Sequence, residues 1–114
     1  MVPSVLFLNK KNRMNKKKNG KQNGYCEEYW SNGNLYYKGS YKDGNRDGYW
    51  EWYCSNGKLH LKGSFKNDKR DGYWEDYREN GKLYYKGNYK DGKEIGYWER
   101  FNRYGVPSYQ VFFF

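Results

Sequence analysis

Four glycines, Gly24, Gly48, Gly72 and Gly96, stand 24 residues apart without slippage. Each opens a similar phrase: Gly-Tyr-Cys-Glu-Glu-Tyr at 24–29, Gly-Tyr-Trp-Glu-Trp-Tyr at 48–53, Gly-Tyr-Trp-Glu-Asp-Tyr at 72–77 and Gly-Tyr-Trp-Glu-Arg-Phe at 96–101. A second phrase holds the same register, with Asn-Gly at 32–33, 56–57 and 80–81, then Leu35, Leu59 and Leu83, then Lys-Gly at 38–39, 62–63 and 86–87. A third closes each unit at 42–47, 66–71 and 90–95. Periodicity of this size marks stacked supersecondary units, none of which can bury its apolar face alone. The closing phrase also occurs at 18–23, so the register reaches back to about residue 18.

Composition decides which unit is stacked. The chain contains no Ala and no Thr but 15 Tyr, 6 Phe, 5 Trp and 14 Gly. Without Ala a helical bundle is disfavoured, whereas aromatic residues suit pleated surfaces and Gly suits turns. Asn-Gly predicts a two-residue type I′ hairpin turn, and Asp-Gly in the closing phrase predicts a second turn. Between them Leu83, Tyr85, Gly87 and Tyr89 alternate with Tyr84, Lys86 and Asn88, as do 35–41 and 59–65. In the first strand, Trp at the third position and Tyr at the sixth are an odd number apart, which predicts a bulge or twist there. The expected fold is all-β: an antiparallel β-hairpin meander of 24-residue units, forming an elongated, twisted, single-layer sheet. Each unit adds two strands at roughly 4.8 Å, so the ladder grows by about 10 Å per unit. The repeated Gly39, Gly63 and Gly87 leave a gap in the packing row, which predicts that the Trp of the adjoining strand (Trp50, Trp74, Trp98) lies over it.

The phrase Gly-Tyr-Trp-Glu-x-Tyr-x-x-Asn-Gly-Lys-Leu, followed by Lys-Gly-x-Tyr-Lys-Asp-Gly-Lys, resembles the MORN repeat (membrane occupation and recognition nexus). It is most similar to the bacterial-type variant of YwqK-family antitoxins, over about residues 18–105. The resemblance implies a half-pipe of hairpins serving as a protein-interaction scaffold. For some members it implies association with membranes or phosphoinositides, and for antitoxins binding to a toxin protein. Cys26 replaces Trp in the first unit, Val106-Pro107 replaces Lys-Leu in the last, and Val111 stands where Gly recurs. These departures put units one and four at the ends of the stack, where repeats are commonly atypical. The repeat domain is therefore assigned to 18–114, with units near 24–47, 48–71 and 72–95 and a partial unit at 96–114.

Catalysis has little to work with. His60 is the one histidine, and Tyr36 and Tyr84 occupy its place in the sister units, so it reads as a surface filler rather than a base. Cys26 and Cys54 have neither CxxC spacing nor a His cluster, which argues against zinc. With no export signal they read as reduced thiols, Cys26 filling a core slot. Glu27, Glu51, Glu75 and Glu99 recur about 10 Å apart, too far to share an ion, and are expected to pair across strands with Lys38, Lys62 and Lys86 of their own units. No enzyme activity, metal or cofactor is expected.

Two surfaces remain as partner sites. Tyr36 and Lys38, His60 and Lys62, Tyr84 and Lys86 are expected to form a ladder of rings and cations on one face of the second strands, suited to a protein partner. The competing reading is a solvated face whose lysines deter aggregation. The other surface is the N-terminal stretch. Residues 1–23 hold Lys10, Lys11, Arg13, Lys16, Lys17, Lys18 and Lys21 and no acid, whereas 24–114 carry only +2 of the total +9. Residues 1–17 read as a basic, disordered leader. This leader, with the Tyr/Lys ladder, offers a second reading as a peripheral binder of anionic lipid, or less readily of nucleic acid. The aromatic end Val111-Phe112-Phe113-Phe114 offers either a cap on the final unit or self-association. The location expected is cytoplasmic, peripheral to a membrane under the second reading.

Overall fold

The computed structural model describes residues 20–114, together with the backbone of 5–7 and 16–18. The expected leader falls largely outside the described residues, including Lys10, Lys11 and Arg13. Twelve strands run β1 (Val5–Phe7), β2 (Lys16–Lys18), β3 (Lys21–Trp30), β4 (Leu35–Lys42), β5 (Asn45–Arg46), β6 (Gly48–Tyr53), β7 (Leu59–Lys66), β8 (Lys69–Arg70), β9 (Gly72–Tyr77), β10 (Leu83–Lys90), β11 (Lys93–Phe101) and β12 (Pro107–Phe113). The sheet order is β1-β3-β4-β6-β7-β9-β10-β11-β12, with β2 on β3, β5 on β4 and β8 on β7. Adjacent strands are antiparallel and no described residue is helical, so the expected all-β meander is what forms. The molecule measures 44 × 34 × 16 Å, thin in one direction as a single layer should be. The turns of the closing phrases are stitched unit to unit: Gly44 N donates to Gln22 O (2.8 Å), Asp68 N to Arg46 O (3.0 Å) and Gly92 N to Arg70 O (2.9 Å). Gln22 takes the same part as Arg46 and Arg70, so the register does extend into the 18–23 phrase.

The type I′ turn expected at Asn-Gly occurs instead at the closing turns, to which the sequence reading gave no type. At the closing turns both central residues have positive φ, as type I′ requires: Asp43 at 51° and Gly44 at 85°, Asn67 at 50° and Asp68 at 67°, Asp91 at 49° and Gly92 at 82°. At the Asn-Gly turns only the glycine does, Gly33 standing at 92°. Trp30 N donates to Asn34 O (2.8 Å) and Gly33 N to Trp30 O (2.9 Å), a three-residue loop ending in a left-handed glycine. The asparagine is freed for other work. Asn32 Oδ1 accepts from Asn34 N (2.9 Å), while its Nδ2 donates to Ser55 O of the next unit (2.8 Å). Asn56 repeats this with Lys58 N and Glu79 O, and Asn80 with Lys82 N and Arg103 O.

The longer loop shifts the hairpin register by one residue, and a bulge takes the shift back. Tyr29 pairs with Leu35, but Glu28 pairs with Tyr37 and Glu27 with Lys38, leaving Tyr36 as the extra residue. His60 is extra in the second hairpin, where Trp52 pairs with Leu61 and Tyr53 with Leu59, and Tyr84 in the third. The bulge expected in the first strand is therefore carried by the second. Trp50 and Tyr53 need none, since they lie on opposite faces.

Packing concentrates on one face. The buried core is Cys26, Trp50, Phe65 and Trp74, flanked by Tyr37, Tyr41, Trp52, Leu61 and Tyr89, with Trp98 continuing the row. Trp50, Trp74 and Trp98 each lie over a glycine of the preceding unit, as expected. A Cβ built on Gly63 would fall 2.0 Å from Trp74 Cδ2, and Gly39 and Gly87 stand in the same relation to Trp50 and Trp98. The indole N–H finds a carbonyl in the glycine's strand, one residue beyond it: Trp50 Nε1 donates to Ser40 O (3.0 Å), Trp74 Nε1 to Ser64 O and Trp98 Nε1 to Asn88 O (both 3.1 Å). Large rings thus bury their area with the polar end satisfied. Cys26 takes the tryptophan slot of the first unit at 1% exposure, as expected, and burial, then Glu28 and Glu27, push its thiol up to about 11. Trp98 pairs with Val111 where its sisters pair with glycine.

Candidate functional site

The two faces carry different chemistry. On the outer face, Glu51 accepts from Tyr53 and Tyr49 (2.7 Å from the latter) and pairs with Lys38 at 3.4 Å. Glu75 accepts from Tyr77 and Tyr73 and pairs with Lys62 at 3.1 Å, and Lys86 lies 3.9 Å from Glu99. These ion pairs run forward from each unit to the next, not within a unit as expected. Cross-strand register puts Lys38 opposite both Glu27 and Glu51, and the ammonium turns to the latter. Burial would raise the Glu51 and Glu75 carboxyls, but the tyrosine and lysine bonds outweigh it and hold both below the ordinary value. Burial, then the bond to glutamate, pushes Tyr53 and Tyr77 up to about 12. Tyr49 (52%) and Tyr73 (47%) present exposed rings beside these clamps.

The inner face forms an open groove of about 1390 Å³. Its apolar lining includes Trp30, Tyr36, Trp52, Leu61, Phe65 and Tyr89. The bulge brings Tyr36 here. Its ring lies 4.4 Å from Trp30 and 5.0 Å from Tyr37, on the face away from Lys38. His60 lines the same groove, with Nδ1 3.8 Å from Asp76 Oδ1 and 3.3 Å from Tyr77 O. Tyr84 lies under the guanidinium groups of Arg78 (4.3 Å) and Arg100 (5.7 Å). The ring and cation ladder expected on one face is thus divided: Tyr36, His60 and Tyr84 turn inward, and Lys38, Lys62 and Lys86 outward. An extra residue in a strand breaks the alternation from which a shared face was read.

Arginine guanidinium groups sit over aromatic rings of this face. Arg46 stacks on Phe65 at 4.1 Å and Arg70 on Trp74 at 4.4 Å, where Arg70 Nη1 also donates to Tyr89 Oη (3.1 Å). Arg78 Nη2 donates to Phe101 O at 2.9 Å. Contact with a ring spends rotamer freedom of these side chains in advance. Arg46 is neutralised by Asp68 at 2.6 Å, and that bond holds the aspartate below its usual range. Burial raises the Asp76 carboxyl, while His60 and Arg70 pull it down. The sequence reading passed over these arginines, although Arg-Asp-Gly recurs at 46–48 and 70–72 and was there to be found.

The family model for the MORN repeat variant matches residues 22–43, 46–67 and 70–91, more than half of the chain and in the same 24-residue register. The chain belongs to the MORN repeat family. No curated protein matches it. The matched MORN segments begin at Gln22, Arg46 and Arg70, the residues whose carbonyls receive the next unit's turn. They take in the buried cluster from Cys26 to Tyr89, and Trp98, which continues the row, lies beyond them.

Proposed function

We propose that this MORN repeat protein is a non-catalytic scaffold that holds a partner protein on its inner face. One observation carries the reading: half-buried rings and ring-stacked arginines line a continuous groove across the stacked units. Surfaces of this kind, with rigid aromatics and arginine placed in a concavity, are where binding energy concentrates. The outer face is less suited, because its charges are already satisfied by one another. A toxin protein, the partner class implied by the likeness to YwqK-family antitoxins, is one such occupant.

Affinity capture from the native cell extract tests this with three baits: wild type, Tyr84→Ala, whose ring carries the groove-lining Arg78, and Tyr49→Ala on the outer face. The expected result is a partner protein retained by wild type and Tyr49→Ala and lost with Tyr84→Ala. No protein partner, or one held equally by all three, overturns the reading.

A further inference from the structure

We propose that the groove takes a proline-rich, carboxylate-bearing segment of the partner in the polyproline II conformation. This rests on the protein-binding reading above and adds the shape and charge of what is bound. The first argument is period. Positions 36, 60 and 84 carry one planar ring per unit along the direction in which units stack: Tyr36 and His60 line the groove, and Tyr84 lies beside it under the groove-lining Arg78. Two strands per unit set that spacing at about 9.6 Å. A polyproline II helix has three residues per turn at about 3.1 Å each, or about 9.3 Å per turn. Every third ligand residue therefore meets an equivalent ring, and the mismatch over three units is below about 1 Å. An extended β-strand repeats its side-chain direction every 6.6 Å or so and falls out of step after one unit.

The second argument is chemical. Polyproline II segments have no internal hydrogen bonds and dock on aromatic-lined grooves. This groove supplies such rings in Trp30, Tyr36 and Trp52, and its floor is apolar at Leu61 and Phe65. The third is charge. Arg46, Lys69, Arg70 and Arg78 line the groove against Asp68 and Glu79, and the lining His60 has Asp76 3.8 Å from its Nδ1. Arg46 is occupied by Asp68, which leaves Arg70 and Arg78, both held on rings, as partners for ligand carboxylates.

Three twelve-residue peptides test it on the full chain: (Pro-Pro-Glu)4, (Pro-Pro-Lys)4 and (Gly-Ser-Glu)4, titrated against tryptophan fluorescence. The expected result is saturable binding of (Pro-Pro-Glu)4, about tenfold or more tighter than either of the others. His60→Ala, at a half-exposed position that the fold tolerates, is expected to weaken that binding about fivefold, and Tyr49→Ala to leave it unchanged. Absence of saturable binding overturns the proposal. So does equal binding of (Gly-Ser-Glu)4, which removes the conformation, or of (Pro-Pro-Lys)4, which removes the charge. An equal loss in Tyr49→Ala removes the groove. If the peptides fail while Tyr84→Ala still abolishes capture of a partner protein, the inference falls and the scaffold reading stands.

Discussion

At the residue scale, the contact between tryptophan and glycine decides most. Gly63 is required by space rather than by backbone conformation, since any Cβ there enters the Trp74 indole. The ring is closed in by Trp52 at 6.0 Å, Phe65 at 5.1 Å and Tyr89 at 6.0 Å, and cannot step aside. Gly63→Ala is expected to destabilise by about 3 kcal/mol in urea unfolding, the upper range for overpacking. Gly48→Ala, with φ at 85° and open space around it, is expected to lose only about 1 kcal/mol. The tyrosine–glutamate clamps give a pH dependence with two limbs. Glu51 and Glu75 have lowered folded values, so their contribution is present above the unfolded value near 4.5 and is lost as pH falls through the folded one. Tyr53 and Tyr77 are raised from 10.0 to about 12, so theirs is present below 10.0 and is lost as pH rises toward 12. Urea midpoints measured against pH should fall at both ends. Glu51→Gln should flatten the acid limb, and Tyr53→Phe the alkaline one.

At the element scale, the hairpin is the unit of both prediction and error. Its existence, its two turns and its buried glycine were legible, because a 24-residue period fixes equivalent positions and composition fixes strand over helix. The loop type was not. Asn-Gly suits a two-residue turn, and such a turn would place Glu27 opposite Lys38 with no bulge at all. The observed three-residue loop reaches the same pairing through the extra residue Tyr36. Alternation alone cannot separate the two routes, yet they send Tyr36, His60 and Tyr84 to opposite faces. What favours the longer loop is the stitch it permits, since Asn56 both closes its own turn and donates to Glu79 O of the next unit (3.1 Å). Asn56→Ala is expected to destabilise by about 1–2 kcal/mol. Asn56→Asp, which keeps the acceptor for Lys58 N but not the donor, should lose a substantial part of that. The urea midpoints of the two variants against wild type read both. The forward direction of the lysine–glutamate pairs was likewise hidden, because each lysine has a glutamate opposite on either side and only side-chain geometry chooses.

At the scale of the whole molecule, each unit touches only its neighbours, so stability should follow position in the stack. Interior strands β4, β6, β7 and β9 are covered on both sides, whereas β12 has one partner strand and carries exposed Tyr109 (55%) and Phe112 (58%). Amide hydrogen exchange is expected to be slowest in β6–β9 and fastest in β12, with a graded profile between. Uniform protection would mean that the units do not act as neighbours in a row. The same stacking lays the groove across the units.

The most direct measurement of this account is the NMR spectrum of the glycine α-protons. With Trp50, Trp74 and Trp98 seated over Gly39, Gly63 and Gly87, those three glycines should show strong upfield ring-current displacement and cross-relaxation to the indole protons of the following unit. Ordinary shifts at all three, or contacts from each glycine only to rings of its own unit, would contradict the stacked arrangement on which fold and groove depend.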